Sequence, residues 1–179
     1  MKTRLIGRYT AEQAADLHAK MAETVIKRAA GLFDRVSIAA DDCGHPFFST
    51  FNLPVLSQGE GDLGSRMNRL MIQAFDDGVE AVMFLGTDSP HMEEQRLVEA
   101  AGLLRGCDVV IGPVEDGGYD LIALSSSCPL FDNISWSSEQ VLGETLEHIQ
   151  RLNLSYELLE TGFDIDVAAD LDRSGWGIP

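Results

Sequence analysis

The segment from Ala81 to Pro90, which reads AVMFLGTDSP, places the strongest constraint on how this chain can fold. Its first part, Ala81 to Gly86, is apolar without polar alternation, which is typical of a strand covered on both faces of a parallel sheet. A helical pattern resumes at Glu93. Because ligands of open α/β sheets bind beyond the carboxyl ends of the strands, Asp88 stands at a ligand-binding position.

Two interpretations of this aspartate are open from the sequence. Its carboxylate offers the hard oxygen ligands that suit a divalent metal carrying phosphates. Alternatively, Asp88 and Ser89 cap the next helix, which Pro90 would help to start.

Composition limits the class of protein. A net charge of -16 argues against nucleic-acid binding, which needs clustered Lys and Arg, although a nucleotide remains compatible with it. Three widely spaced cysteines without a CxxC pair indicate reduced thiols. The sequence contains no signal peptide and no apolar run of membrane length, so we predict a cytoplasmic protein that does not bind membranes.

Strands and helices alternate along the chain, which predicts a single α/β domain over residues 1–179. Thr10 and Gln13 form a capping box for the first helix. The patterns predict helices over Ala11–Leu32, Leu63–Phe75, Glu93–Arg105 and Ser138–Leu152, and strands over Arg35–Ala40, Leu53–Gln58, Asp108–Pro113, Leu121–Leu124 and Tyr156–Leu159.

A glycine-rich segment, QGEGDLGSRM from Gln58 to Met67, precedes the second helix. Its glycines permit close backbone approach to a ligand, although the spacing matches neither a Walker loop nor GxGxxG. Arg66 and Arg69 lie one helical turn apart, so one helix face could present two guanidinium groups. We predict a nucleotide-facing loop and helix start formed by Gly59, Gly61, Asp62 and Arg66; an ordinary loop is the alternative.

Two acidic segments follow. Asp116, Gly117 and Gly118 lie between two apolar runs, a pattern that favours a hairpin turn. The segment from Phe163 to Arg173, FDIDVAADLDR, alternates Asp with apolar residues at its start, which suggests a strand with its acidic groups on one face.

These segments, with KTRL at Lys2–Leu5, occur in the order found in one family of transferases. The chain resembles, over nearly its whole length, the bacterial radical-SAM/selenodomain-associated transferase 1 family, within the GT-A-type nucleotide-diphospho-sugar transferase superfamily. The segments that carry the resemblance are KTRL, QGEGDLGSRM, GTDSP, IGPVEDGGYDLIAL and FDIDVAADL, and the series GDLGSRM, GTDSP and DGGY is specific, whereas each of these alone is weak. The resemblance implies a GT-A-like three-layer α/β/α sandwich with a mostly parallel mixed sheet.

The resemblance also implies roles for individual residues. Asp88 matches the metal-binding aspartate of the superfamily, and Asp164 or Asp166 is the candidate second ligand of Mg²⁺ or Mn²⁺. Lys2 and Arg4 would contact phosphates from the other side. The acceptor side would be lined by Asp116, a candidate base, with Gly117, Gly118 and Tyr119. Asp120 replaces an aromatic residue that the family usually has after the tyrosine.

The family has a hydrophobic first strand and a phosphate loop before the position of Lys2, where this sequence has only Met1. We therefore expect an N-terminally incomplete domain whose first strand is missing. That strand would lie between Arg35–Ala40 and Ala81–Gly86, so a gap or rearrangement of the sheet is expected there, with two strands left without backbone partners.

Together these features predict a metal-dependent transferase that uses a nucleotide sugar or a nucleoside triphosphate, similar to glycosyltransferases. A nucleotidyltransferase that releases pyrophosphate is one alternative, and a non-catalytic module that binds a nucleotide or a partner protein is another. A homodimer is open.

Overall fold

The computed structural model describes residues 9–176, which form an α/β fold with helices on both faces of a mixed sheet. The elements are α1 (Ala11–Leu32), β1 (Ile38–Ala40), a short 3-10 helix (Pro46–Thr50), β2 (Val55–Ser57), α2 (Leu63–Asp76), β3 (Val82–Leu85), α3 (Glu94–Leu103), β4 (Val109–Pro113), β5 (Tyr119–Leu124), α4 (Val141–Arg151), β6 (Tyr156–Leu158) and α5 (Ala168–Ser174). The predicted phosphate contacts Lys2 and Arg4 lie outside the described residues.

The start of α1 confirms the predicted capping box. The Gln13 backbone N–H donates to the Thr10 hydroxyl over 3.2 Å, and the Thr10 N–H donates to the Gln13 side-chain oxygen over 2.9 Å. These bonds satisfy two backbone groups that the first turn of a helix leaves unpaired. The helix then runs to Leu32, as predicted.

The strands form two sheets. β1 pairs with β2 in parallel, and the other four strands follow the order β3-β5-β4-β6, with β5 antiparallel to both of its neighbours. Within residues 9–176, β1 and β3 belong to different sheets and do not pair with each other. The expectation of a missing first strand stays a prediction, because residues 1–8 lie outside the described part of the chain.

The prediction that β3 pairs in parallel is wrong, because its partner β5 is antiparallel. Both faces of β3 contact the core as predicted, since Phe84 packs on one layer and Met83 and Leu85 pack on the other. All four residues of β3 are half-buried, and among residues 9–176 the strand pairs with β5 on one side only. β4 and β5 are the strands that are buried along almost their whole length.

Alternation along β4 and β5 divides the core into two layers. Ile111 and Ile122 point to one face, where they pack with Met71 of α2 and with Ile149 of α4. Their sequence neighbours, Val110 and Leu121 among them, point to the other face and pack with Leu97 and Ala100 of α3. The period-two alternation of side chains produces the three-layer sandwich.

The segment 163–173 does not form the predicted strand. Gly162 makes an isolated bridge to Val114, extended chain follows, and α5 begins at Ala168. The Asp170 carboxylate accepts hydrogen bonds from the backbone N–H groups of Asp166 and Val167, which favours a helix start at this point. The alternation of Asp with apolar residues led to the wrong prediction of a strand, because an extended segment that packs on a helix shows the same pattern. Here the apolar Ile165 is buried against α1.

We predict that Gly64→Ala destabilises the fold by about 1–3 kcal/mol, because an added Cβ would lie 2.2 Å from the Phe131 carbonyl oxygen and 2.7 Å from the Trp136 indole nitrogen. The matched control is Gly143→Ala within α4, where the Cβ meets nothing within 4 Å and helix propensity favours alanine. Urea denaturation measures both variants. Equal effects of the two substitutions would contradict the assigned packing of α2.

Candidate functional site

Three loops and one extended segment lie where ligands bind in open α/β sheets. The 58–62 loop follows β2, the 86–92 loop follows β3, and the 114–118 loop joins β4 to β5. Residues 160–166 follow β6 and are called the acidic segment below.

The 58–62 loop has the backbone that its glycines allow. Gly59 and Gly61 have φ angles of 72° and 103°, a region that other residues rarely adopt. Asp62 caps α2: its carboxylate accepts hydrogen bonds from the Ser65 hydroxyl and backbone N–H, over 2.6 and 2.8 Å, and these bonds lower its pKa. Gly59, Gly61 and Asp62, three of the predicted nucleotide-facing residues, therefore lie within one short turn that leads into α2.

The two arginines of α2 turn back onto this loop. Arg66 donates to the Gly61 carbonyl oxygen and to the Gln58 side chain, both over 3.0 Å. Arg69 donates to the backbone carbonyls of Gln58 and Glu60. Both guanidinium groups therefore hydrogen-bond to the 58–62 loop, which stabilises the conformation of the loop. A contact of Arg66 with a nucleotide stays a prediction.

The 86–92 loop holds Asp88 in a half-exposed position. Its carboxylate lies 3.6 Å from the Nε2 atom of His18, which projects from α1. Arg28 of the same helix donates to the Pro90 carbonyl oxygen over 2.9 Å, so α1 supports this loop at two points. Capping by Asp88 or Ser89, the alternative considered above, is wrong because Glu93 occupies the N-cap of α3.

The acidic segment lies directly against the 86–92 loop. The Ile165 N–H donates to the Asp88 carbonyl oxygen over 2.9 Å. The buried Ser89 hydroxyl lies 2.5 Å from an Asp164 carboxylate oxygen and 3.1 Å from the Phe163 carbonyl oxygen. The structure therefore brings the Asp164 carboxylate onto Ser89, the residue after Asp88, whereas metal binding by Asp164 or by Asp166 stays a prediction.

A divalent metal bound by Asp88 with Asp164 or Asp166 stays a prediction. Among residues 9–176, no group of three or more His, Cys, Asp or Glu side chains is placed to hold a metal ion. Mg²⁺ commonly binds through one or two carboxylates together with phosphates and water. Asp88 and Asp164 are the carboxylates that would serve this mode of binding.

A stack of side chains, which the sequence analysis missed, fixes the start of the acidic segment. The His91 ring stacks on the Phe163 ring with centroids 4.1 Å apart, and the Arg173 guanidinium lies 3.6 Å from the centroid of the same ring. Arg173 also forms a 2.9 Å ion pair with Glu115. Burial, then the charges of nearby arginines, lower the pKa of His91, so the imidazole is neutral at pH 7. Local sequence patterns cannot predict contacts such as that of His91 with Phe163, because the two residues are far apart in the sequence.

The 114–118 loop is the hairpin turn that its sequence favoured. The exposed Asp116 carboxylate accepts a 2.9 Å hydrogen bond from the Gly118 N–H. Gly117 has a φ of 87°, and a Cβ there would lie 2.2 Å from the Glu139 carbonyl oxygen. Burial raises the pKa of Tyr119, whose hydroxyl faces the core near Thr145. Roles of Asp116, Gly117, Gly118 and Tyr119 toward an acceptor stay predictions.

The indole of Trp136 contacts both the start of α2 and the residue that follows the hairpin turn. Trp136 packs edge-on against the Tyr119 ring, with centroids 6.4 Å apart, and lies next to Gly64 in the first turn of α2. Trp136 was not predicted from the sequence, because a single aromatic residue in a polar segment shows no periodic pattern.

Solved structures with this fold include enzymes that act on nucleotides. A candidate nucleotide-diphospho-sugar transferase from Desulfovibrio desulfuricans G20 is 32% identical, with a TM-score of 0.89 over 96% of this chain and 78% of that chain. CMP:2-keto-3-deoxy-manno-octonic acid synthetase complexed with CTP is 13% identical, with a TM-score of 0.61 over 86% of this chain and 85% of that one. The bifunctional IspDF from Campylobacter jejuni is 9% identical, with a TM-score of 0.62 over 86% of this chain and 46% of that one.

The last two likenesses show the fold alone, because their sequence identities are low. A search of curated proteins gave no match. The family model of DUF2064, described as uncharacterized proteins conserved in bacteria, matches residues 38–138. With more than half of its length matched by that model, this chain belongs to the DUF2064 family.

Proposed function

We propose that this protein is a metal-dependent transferase of the radical-SAM/selenodomain-associated transferase 1 type, acting on a nucleotide sugar or a nucleoside triphosphate. One observation supports the proposal: the acidic segment is hydrogen-bonded to the 86–92 loop, through the Ile165 N–H on the Asp88 carbonyl oxygen and the Asp164 carboxylate on the hydroxyl of Ser89, the residue after Asp88. The 32% identical relative, a candidate nucleotide-diphospho-sugar transferase, supports the same reaction class.

In this proposal Asp88 and Asp164 hold Mg²⁺ or Mn²⁺ together with the diphosphate of the substrate. The cation would offset the negative charge that develops on the leaving group or on the attacked phosphate. Asp88 and Asp164 would orient the diphosphate through it, so that catalysis would depend on positioning and electrostatics, without a covalent protein nucleophile. In a protein with a net charge of -16, a cation would also offset the repulsion between a phosphate and this acidic site.

The nucleotide is proposed to lie against the 58–62 loop. Gly59 and Gly61 carry no side chains, so the ligand can approach the backbone closely. The bonds from Arg66 and Arg69 to loop carbonyls keep this surface in one conformation before the ligand arrives, which lowers the entropy lost on binding. Lys2 and Arg4 are proposed to contact the phosphates from the other side.

The acceptor is proposed to bind beside the 114–118 loop, with Asp116 as the base that takes the proton of its hydroxyl group. Asp116 is exposed, and the loop lies near the acidic segment because the Glu115 N–H donates to the Gly162 carbonyl oxygen over 3.1 Å. A carboxylate in such a position typically contributes 10²–10⁴-fold to the rate.

Glycosyl transfer releases a nucleoside diphosphate, whereas nucleotidyl transfer releases pyrophosphate, so product analysis distinguishes the two reactions. A module that binds a nucleotide or a partner without catalysis gives neither product. No helix within residues 9–176 is long and apolar enough to cross a membrane. A cytoplasmic location and a homodimer remain predictions.

We predict that Asp88→Asn weakens Mn²⁺-dependent nucleotide binding at least tenfold, because one of two metal-binding carboxylates is lost. A thermal-shift screen of nucleoside triphosphates and nucleotide sugars with Mn²⁺ first identifies the ligand, and titration calorimetry then compares the variants. Asp76→Asn, at the exposed end of α2, makes the same change of charge and should leave binding unchanged. Unchanged binding by Asp88→Asn would exclude Asp88 as a metal ligand.

We predict that Asp116→Asn lowers kcat about 10²–10⁴-fold and leaves the KM for the nucleotide substrate unchanged. An asparagine oxygen can still accept the hydrogen bond from the Gly118 N–H, so the turn is kept while the base is removed. Asp116→Ala removes both and should also lower the melting temperature. Full activity in Asp116→Asn would leave this carboxylate with only its role in the turn.

A further inference from the structure

A buried ion pair joins α3 to β5 beneath the proposed metal site. The Arg96 Nη2 atom lies 3.1 Å from an Asp120 carboxylate oxygen, and the Arg96 Nε atom lies 3.4 Å from the same oxygen. The two side chains are 15% and 4% exposed. Asp120 is the position at which this sequence departs from the family pattern, and Arg96 was not singled out from the sequence.

Both members of the pair contact the backbone that carries the proposed metal ligands. The Asp120 carbonyl oxygen accepts a 2.7 Å hydrogen bond from the Gly86 N–H, two residues before Asp88. Arg96 Nη1 donates to the Glu160 carbonyl oxygen over 2.6 Å, at the first residue of the acidic segment. Arg96 Nη2 also lies 3.4 Å from the Pro113 carbonyl oxygen at the end of β4.

Two glycines make room for this arrangement. A Cβ on Gly112 would lie 2.4 Å from an Asp120 carboxylate oxygen and 2.7 Å from Arg96 Nη2. A Cβ on Gly162, within the acidic segment, would lie 3.3 Å from the other oxygen of that carboxylate. The ion pair therefore lies in a space enclosed by β4 and the acidic segment, and the backbone approaches it closely from both sides.

Stability does not explain why charges are placed here. Burial raises the pKa of Asp120, and the neighbouring Arg96 only partly opposes that effect. A folded-state pKa above the ordinary value means that the ionised carboxylate lowers the stability of the fold once the pH exceeds that ordinary value. Apolar side chains of similar volume often replace a buried ion pair without loss of stability.

The contacts of Arg96 indicate instead that the ion pair holds the acidic segment in place. From the Arg96 anchor at Glu160 the segment continues to Gly162, which exchanges backbone hydrogen bonds with Pro113 and Glu115 over 2.8 and 3.1 Å. It reaches Asp164 and Ile165, whose bonds to the 86–92 loop complete the proposed site. The guanidinium fork suits this role because one rigid group donates in several fixed directions.

We propose that Arg96 and Asp120 are positioning residues, which fix the acidic segment so that the Asp164 carboxylate stands beside Asp88. Asp120 holds the guanidinium in place, and the guanidinium holds the Glu160 carbonyl. Neither side chain touches the substrate. The consequence for metal–nucleotide affinity rests on the function proposed above, whereas the anchoring of the segment can be measured without a ligand.

The test is the double variant Arg96→Met/Asp120→Asn, which keeps side-chain volume nearly unchanged and removes both buried charges. Its matched control is Arg151→Met/Glu147→Gln, which removes an Arg–Glu pair of α4 that is 66% and 65% exposed. Hydrogen exchange of the Gly162 and Ile165 amides reports the anchoring, and calorimetry with Mn²⁺·CTP and Mn²⁺·UDP-glucose reports binding. Thermal unfolding reports overall stability.

We expect the double variant at Arg96 and Asp120 to unfold within a few degrees of the wild-type melting temperature. Its amides at Gly162 and Ile165 should exchange at least tenfold faster than those of the wild type. It should bind whichever probe the wild type binds at least tenfold more weakly. The control variant should change none of these. Arg96→Lys keeps the charge opposite Asp120 without the fork, so it should fold like the wild type and lose the same protection. It tests the proposal even if the double variant fails to fold.

Unchanged exchange at both amides, in either site variant, overturns the positioning role. Lost protection with unchanged probe affinity overturns its connection to the binding site. If the wild type binds neither probe and none of the ligands screened with Mn²⁺, the proposed function fails, and the exchange measurements alone then decide whether Arg96 and Asp120 anchor the segment.

Discussion

The burial of β4 and β5 on both faces is the constraint on which the rest of the structure depends. Residues 109–111 and 121–124 are at most 1% exposed, and their alternating side chains pack with α2 and α4 on one face and with α3 on the other. Removing this much apolar surface from water is the largest favourable contribution that the fold has. Because a short hairpin joins β4 to β5, the turn with Asp116 is fixed at the sheet edge where ligands bind.

The antiparallel direction of β5 has a second consequence. It places the first residues of β5 beside the last residues of β3 and β4, so the Asp120 backbone lies against Gly86 and its side chain lies under the end of β4. A buried carboxylate requires a partner, and Arg96 supplies it from α3. The same arginine also donates to the Glu160 carbonyl oxygen of the acidic segment. The partner that the buried Asp120 requires is therefore also an anchor for that segment.

Contacts between distant parts of the chain dominate the proposed site. Ser89 and Asp164 meet across 75 residues, and Asp116 reaches the same edge through the hairpin. In a protein of charge -16, the proposed cation would offset the negative potential of these carboxylates and of a phosphate. The bracing of the 58–62 loop by Arg66 and Arg69 follows the same principle, because cationic side chains fix backbone groups that a substrate would meet.

The sequence alone determined helices α1 to α4 and strands β1 to β6, the capping box at Thr10, the hairpin turn at Asp116 and the position of Asp88 after a strand, because each depends on residues near one another in the chain. Only the tertiary structure decided that β3 pairs with an antiparallel strand and that the segment from Phe163 is docked chain followed by α5. It also decided which distant side chains contact the segments of the site, among them those of His18, His91, Trp136 and Arg96. Local patterns record propensity and period, whereas partners across many tens of residues are chosen by packing, and alternating polarity cannot distinguish a strand in a sheet from an extended segment lying on a helix.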